Sequence, residues 1–485
     1  MSDELVKRLD AAGLRDAGRT PETPFCLALA DGSVVLLQRL LRVLPGKRIV
    51  GEGQWKGRRV LAKLFVAGGS ARHWAQEKAG IEALQKAGVP TPDLLLAAPL
   101  ASGGHVLLTT FVDAAQTLAE AWEPLSALPA GSPAALDVLF PAFRMLGRLH
   151  ACGLVQEDLH LGNFLRCAER LYVIDGDAVR SISPGKGLDE PRASANLAVL
   201  LAQLPMAWDA WRSELLAAYR AGGGPDIGDT ARLESELSRV RNWRLKDFLG
   251  KTLRDCTLFK VRRSAFRFTA VQRMAAERLA PLLAAPDAAI FHGRLLKDGK
   301  TCTVARVEQA GCALVVKRYN LKNLRHALGR FWRPTRAWHS WREGHRLQHL
   351  GIATPTPLAL IEERIGPLRR RAFLINEFCP GVSLLHFLSP DREPEEELAS
   401  ALVTLFRRLH TLRISHGDLK ASNLLWHDGR VFMIDLDALV QHRSVTGHAR
   451  AWRRDRERLL RNWPASSILH RWLDRNLPPA SAGRG

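Results

Sequence analysis

The stretch ISHGDLKASNLLW, residues 414–426, returns in altered form as LVQEDLHLGNFLR, residues 154–166. Each holds an aspartate five residues before an asparagine inside an apolar frame: Asp418 and Asn423 in the later stretch, Asp158 and Asn163 in the earlier. Twelve residues after each asparagine another aspartate closes a short apolar run, Asp435 in VFMIDLD and Asp175 in LYVIDGD. Three polar positions kept at one spacing, twice, point to a duplicated unit.

The likeness extends upstream in one order. The first copy has RVLAKLF with Lys63, HWAQEKAGIEALQKAGVPTP with Glu77, HVLLTTFVD and MLGRLHACG. The second has CALVVKRYN with Lys317, SWREGHRLQHLGIATP with Glu343, AFLINEFCPG and LFRRLHTLR. Short apolar runs predict strands. The segments with Glu77 and Glu343 have helical spacing and stop at a glycine followed by proline. The expected fold class is α+β: two tandem bilobal domains, each with a small strand-rich lobe and a helical lobe. The expected boundaries are 1–220 for the first, 221–252 for a helical connection with its flexible break at AGGGPDIGDT, and 253–485 for the second.

A chain of 485 residues exceeds one ordinary core, in keeping with two domains. Apolar residues at 46% and charged residues at 25% describe a soluble globular protein. No run is long enough to span a bilayer, and MSDELVKRLDAAGLRDAG lacks the apolar core of a secretory signal. Seven scattered cysteines without a C-x-x-C pair suit a reducing cytoplasm. The net charge of +21 calls for an anionic partner or a self-repelling surface, and composition alone does not choose.

Taken singly, the polar residues have ordinary readings. A strand lysine is a surface charge, a helix glutamate a weak surface pair, and a loop aspartate a turn cap. As an ordered set they match what moving the terminal phosphate of ATP requires. A lysine (Lys317, Lys63) holds the nucleotide phosphates and an acid (Glu343, Glu77) braces it. An asparagine and an aspartate (Asn423 with Asp435, Asn163 with Asp175) hold Mg2+. A further aspartate (Asp418, Asp158) takes the acceptor's proton. A glycine-rich phosphate loop is less distinct: GEGQWKG from Gly51 and KDGKTCTVARVEQAG from Lys297 read equally as plain hairpins.

The set resembles the protein-kinase-like fold, with HGDLKASN for the catalytic loop and IDLD for the metal-binding turn. No A-P-E anchor follows, which favours a small-molecule or glycolipid kinase over a peptide kinase. More narrowly, HGDLKASNLLW with FMIDLD, VVKRYN, TRAWHSWREGHRL and GIATPTPLALIE resemble the bacterial lipopolysaccharide core kinase family across residues 253–442, and more loosely across 45–200. The resemblance implies phosphate transfer from ATP to a sugar, notably heptose, of the lipopolysaccharide inner core, on the cytoplasmic side of the inner membrane. A protein Ser/Thr kinase and a regulatory pseudokinase are the alternatives.

The second copy keeps His416, which in such folds braces the magnesium strand; the first has Gln156 there and Glu157 in place of Gly417. The second copy is therefore expected to be the main catalyst, and the first a second kinase, a weakened one or a nucleotide-binding regulator. Basic residues from Lys317 to Arg346, interleaved with Tyr319, Phe331, Trp332, Trp338 and Trp341, and HARAWRRDRERLLRNW near the end suit an anionic membrane surface. Nucleic acid is the competing partner, but no nucleic-acid motif is present. His345 and His349 lack the glutamate of a zinc-protease motif and read as ordinary surface or core histidines.

Overall fold

The computed structural model describes residues 7–18, 20–126, 128–320, 334–366 and 368–479. Phe331 and Trp332 of the aromatic-basic stretch lie outside the described residues. Two compact units are present, Met1–Asn242 and Trp243–Gly485.

In the first unit a seven-stranded sheet runs in the order Lys7–Arg8, Phe25–Ala28, Val34–Leu44, Arg48–Trp55, Arg58–Phe65, His105–Thr110, Leu94–Pro99. The strand Arg58–Phe65 alternates: Val60, Ala62 and Leu64 are fully buried, which turns Lys63 to the opposite face. The helix Ala71–Lys86 follows and buries Glu77, Gly80, Ile81 and Leu84. The GEGQWKG segment is strand and tight turn. Gly51 and Gly53 lie in Arg48–Trp55, and a Cβ on Gly53 would come within 2.1 Å of the Leu36 carbonyl oxygen. These glycines therefore serve close strand passage. The turn between the two strands preceding the lysine strand is instead at Pro45–Lys47, with Gly46 left-handed.

The helical lobe of the first unit is built on Pro133–Ala151, which buries ten residues from Ala135 to His150 against Glu190–Leu201 and Arg212–Ala221. Residues 221–252 contain the helix Thr230–Lys251, whose Leu233, Leu237 and Val240 join this core. The glycines before that helix allow close approach. A Cβ on Gly222 would meet the Arg144 carbonyl oxygen at 1.9 Å.

In the second unit the sheet order is Phe259–Arg263, Arg267–Gln272, Pro357–Ile365, Leu368–Glu377, Cys312–Tyr319, Cys302–Gln309, Arg294–Gly299. Lys317 is on Cys312–Tyr319, on the face of Tyr319 and opposite that of the buried Leu314 and Val316. The helix Arg336–His349 starts at Thr335, whose hydroxyl accepts from the Trp338 amide at 3.1 Å. Its helical lobe centres on Glu396–Thr411, Val445–Leu460 and Ile468–Asn476.

The aromatic residues expected at a membrane surface are core here. Trp341 and Trp452 are buried, as are Tyr319 and Trp463, and Trp338 packs on Phe268. Amphipathic spacing turns the tryptophans inward and leaves the arginines outside. His345 is likewise a core residue: it lies edge-on to Trp341 at 4.3 Å, and burial pushes its imidazole down to about 3. Among the described residues no helix is long and apolar enough to cross a membrane.

Candidate functional site

In each unit the polar loop and the aspartate-bearing turn are stitched together the same way. The side-chain amides of Asn163 and Asn423 donate to the Asp158 and Asp418 carbonyls, both at 2.9 Å. The Ile174 and Ile434 amides donate back to the asparagine carbonyls at 2.9 and 3.0 Å. The next residues, Asp175 and Asp435, have left-handed backbone with φ of 69° and 59°. That conformation is unfavourable for most side chains and is tolerated by aspartate. It swings both carboxylates towards the strand lysine.

The residue in the His416 place does one job in both units. His416 donates from Nε2 to the Ile434 carbonyl at 3.0 Å while its Nδ1 faces the Asp418 amide. Gln156 donates from Nε2 to the Ile174 and Asp175 carbonyls at 3.4 and 3.2 Å. An amide thus replaces the imidazole without losing the brace. A buried relay backs it: the Tyr219 hydroxyl to His150 Nδ1 at 2.7 Å, His150 Nε2 to Asn196 Oδ1 at 3.0 Å, Asn196 Nδ2 to the Gln156 carbonyl at 2.8 Å. Burial pushes His150 down to about 4, so its ring is neutral, and the relay requires the proton on Nε2. In the second unit the corresponding support is Asp455, which accepts from the His416 and Gly417 amides at 2.6 and 3.0 Å. Burial raises its carboxyl above the usual range.

The two lysines are held differently. Lys63 Nζ meets Glu77 Oε1 directly and lies 3.6 Å from Asp175. Glu77, fully buried, also accepts from the Gly176 amide at 3.1 Å, which fastens the helix to the turn that carries Asp175. Burial alone would raise the Asp175 carboxyl, but the Lys63 ammonium and Arg48 guanidinium outweigh it and hold it low.

Lys317 Nζ instead donates to Asp435 at 2.5 Å and to Asp437 at 2.9 Å. Glu343 is not on the lysine. It receives Arg346 Nε at 2.6 Å, and Arg346 reaches on to Gln441 at 2.6 Å. The expectation that Glu343 braces Lys317 is therefore corrected. The reason lies in the helix register. Gly88 and Gly351 end the two helices with the same left-handed turn, and the Val89 and Ile352 amides bond the Leu84 and Leu347 carbonyls alike. Eleven residues before each glycine stand Glu77 and Ser340; Glu343 comes three residues later, at the place of Gly80. Three residues carry a side chain about 4.5 Å further along the axis and about 60° round it, one turn past the lysine.

Asp437, which spacing did not single out, takes the vacant role. Tyr319 OH donates to it at 2.6 Å, Ser340 Oγ at 2.8 Å and Lys317 at 2.9 Å, with Arg336 at 3.7 Å. The second carboxylate of IDLD was the available signal. Burial tends to lower the Lys317 ammonium, but Tyr319, Asp437 and Asp435 raise it well above the lysine range. The Lys317 charge correspondingly keeps Asp435 ionised against its own burial.

The proton-accepting candidates also differ in surroundings. Asp418 is flanked by Lys420 at 3.0 Å and Arg458 at 3.4 Å. Asp158 is exposed and forms no ion pair among the described residues, whereas its neighbour Glu157 is neutralised by Arg180 at 3.2 Å. A lysine, a bracing acid, two oxygen donors and a free carboxylate in one place can align a triphosphate with an alcohol.

The second of these sites falls within a segment that known families describe. Residues 292–476 match the lipopolysaccharide kinase (Kdo/WaaP) family. The lipopolysaccharide core heptose(I) kinase WaaP of Escherichia coli K12 is 26% identical over 171 residues, 32% of this chain and 63% of that protein. The 3-deoxy-D-manno-octulosonic acid kinase of Mannheimia succiniciproducens is 32% identical over 107 residues, 21% of this chain and 45% of that protein. The chain thus spans less than two thirds of either relative's length. A solved structure, WaaP in complex with acyl carrier protein, aligns over 43% of this chain and 89% of its own, at 20% identity and a TM-score of 0.32.

Proposed function

We propose that this chain is an ATP-dependent kinase that phosphorylates a sugar hydroxyl of the lipopolysaccharide inner core, with heptose the first candidate, and that both units follow the bilobal protein-kinase-like plan. The observation that carries the reading is the bonded path from Lys317 through Asp435 and Ile434 to Asn423 and Asp418 inside the family-matched segment.

On this reading Lys317 holds the nucleotide phosphates, and Asp437 steadies it in the manner expected of Glu343. Asn423 and Asp435 would hold magnesium. The donor set fits: Asn423 donates through Nδ2 to the Asp418 carbonyl, which leaves Oδ1 available to a cation that the Asp435 carboxylate would share. Magnesium usually keeps several waters and takes further oxygens from phosphates, so one or two protein ligands suffice. Bound there, magnesium supplies charge neutralisation on the β- and γ-phosphates. Asp418 receives the acceptor hydroxyl's proton, and Lys420 and Arg458 stand where charge must be offset beside it.

A glycolipid acceptor places the enzyme at the cytoplasmic surface of the inner membrane. The net charge of +21 and the exposed Arg453, Arg454, Arg471 and Arg475 support contact with anionic headgroups. Mass spectrometry of core oligosaccharide from cells lacking the protein tests the substrate class: one phosphate should be missing from one core sugar. Asp418→Ala should lower turnover on that acceptor by about 10²–10⁴-fold. An unchanged core from the deletion strain would refute the reading.

A further inference from the structure

We propose that the first unit is a second phosphoryl-transfer site, one that binds its own magnesium nucleotide and acts on a different hydroxyl from the second unit. The family match begins at residue 292 and leaves this unit unassigned. The inference rests on reading these residue types as phosphotransfer machinery, but not on the identity of the acceptor.

The first unit has every part in place, and its lysine–acid pair is the one already formed. Lys63 sits on Glu77, and Glu77 holds the Gly176 amide, so sheet, helix and metal-binding turn are locked together. In the second unit the lysine rests on Asp435, the carboxylate needed for magnesium, and must leave it when the metal nucleotide enters. The two sequence departures in the first unit are compensated. Gln156 makes the strand-bracing bonds of the absent histidine. The charge of Glu157 is met by Arg180, and this pair stands where the second unit has Gly417 and Val440. The Glu157–Arg180 pair offsets the added negative charge beside the proton acceptor.

The space is there as well. A cleft of about 530 Å³ is lined by, among others, Arg48, Arg72, Glu157, Asp158, Asp175 and Arg180. Asn163 bonds the Asp158 carbonyl through its amide nitrogen and so keeps Oδ1 for a cation beside Asp175. In the transfer step the acceptor oxygen bonds to the γ-phosphorus as the bond from that phosphorus to the β–γ bridging oxygen breaks. The hydroxyl proton goes to Asp158, and ADP leaves. The surroundings of the acceptor differ from those of the second unit at three points. Glu157–Arg180 replaces Gly417 and Val440, His160 replaces Lys420, and Asp158 lacks the cations that flank Asp418. A different rim selects a different hydroxyl.

Equilibrium binding of a non-hydrolysable ATP analogue with Mg2+ to the full chain should give two nucleotides per chain. Lys63→Met and Lys317→Met should each leave one. Asp175→Asn, which preserves side-chain shape, is the second variant for the first site and should also leave one. A wild-type stoichiometry of one that neither Lys63→Met nor Asp175→Asn changes overturns the proposal, whatever the acceptor proves to be. Transfer is read separately in an Asp418→Asn background, with γ-labelled ATP and lipopolysaccharide from the deletion strain, and with water as the fallback acceptor. Residual turnover should fall at least about 100-fold when Asp158→Asn is added, with both nucleotides still bound. No residual turnover, or turnover indifferent to Asp158→Asn, overturns the transfer claim. Loss of the lipopolysaccharide reading alone would leave the stoichiometry at two.

Discussion

Replacing Asp437 by asparagine is the sharpest test of how the second site is braced. Asp437 accepts from Tyr319, Ser340 and Lys317 at 2.6, 2.8 and 2.9 Å, and both it and Lys317 are largely buried. The asparagine keeps the shape and an acceptor oxygen but removes the charge. A hydrogen bond to a charged partner in such surroundings contributes about 1.5–3 kcal/mol. At tenfold per about 1.4 kcal/mol, nucleotide affinity should fall roughly 10- to 150-fold. On the proposed reading Asp435 would not make up the loss, because it would hold magnesium when the nucleotide is bound. Glu343→Gln should change affinity by less than about threefold, since Glu343 is spent on Arg346. Ser340→Glu should rescue Asp437→Asn in part, because it rebuilds an acid at the Glu77 position. Calorimetric titration of each variant with magnesium and an ATP analogue gives the ranking. If Glu343→Gln weakens binding as much as Asp437→Asn does, the register argument is wrong.

Two glycines and one histidine give further expectations. A Cβ at Gly80 would stand 1.9 Å from the Gly176 carbonyl oxygen, a backbone atom that cannot step aside. Gly80→Ala should therefore destabilise the first unit by about 1–3 kcal/mol and uncouple Glu77 from Lys63, whereas Gly250→Ala, with nothing within 4 Å on an exposed helix, should stabilise by about 0.5–1 kcal/mol. Thermal melts of the two variants settle the contrast. His150 sits near 4 in the fold against its ordinary 6.5, so the unfolded chain takes up a proton first as the pH drops. The stability gained from a neutral ring is whole above about pH 6.5 and is lost towards pH 4. At pH 5.5 the loss is about 1.4 kcal/mol. His345 and His448, lowered by burial as well, contribute to both proteins, so urea unfolding between about pH 7.5 and 5.5 should show a loss smaller by about this amount in His150→Gln than in wild type; equal pH dependence in both would refute it.

What could be read from the chain was what the chain itself holds at fixed distance. Asp158, Asn163 and Asp175, and their counterparts Asp418, Asn423 and Asp435, lie within one loop-and-hairpin, so sequence spacing is nearly spatial spacing. The strand lysines were legible from the short apolar runs that hold them and from their order in the set. The acid opposite Lys317 was not, because it depends on which turn of the helix lies over the lysine. That placement is set by counting back from the helix's closing glycine rather than by the most conspicuous glutamate. Asp437 was hidden by its position inside a turn, where an aspartate has ordinary uses. Trp341 and Trp452 looked like interface residues because composition records what neighbours a residue in the chain, not which side of a helix it occupies.

The left-handed backbone at Asp175 and Asp435 carries a cost that glycine would not bear, about 1–2 kcal/mol at each position. Glycine at either place would relax the chain while erasing the carboxylate that the proposed mechanism gives to the metal. A screen that rewards solubility or heat resistance alone would drift towards inert proteins, and the sturdiest survivors would be the ones with nothing left to catalyse. Directed evolution on this scaffold needs a turnover criterion in every round.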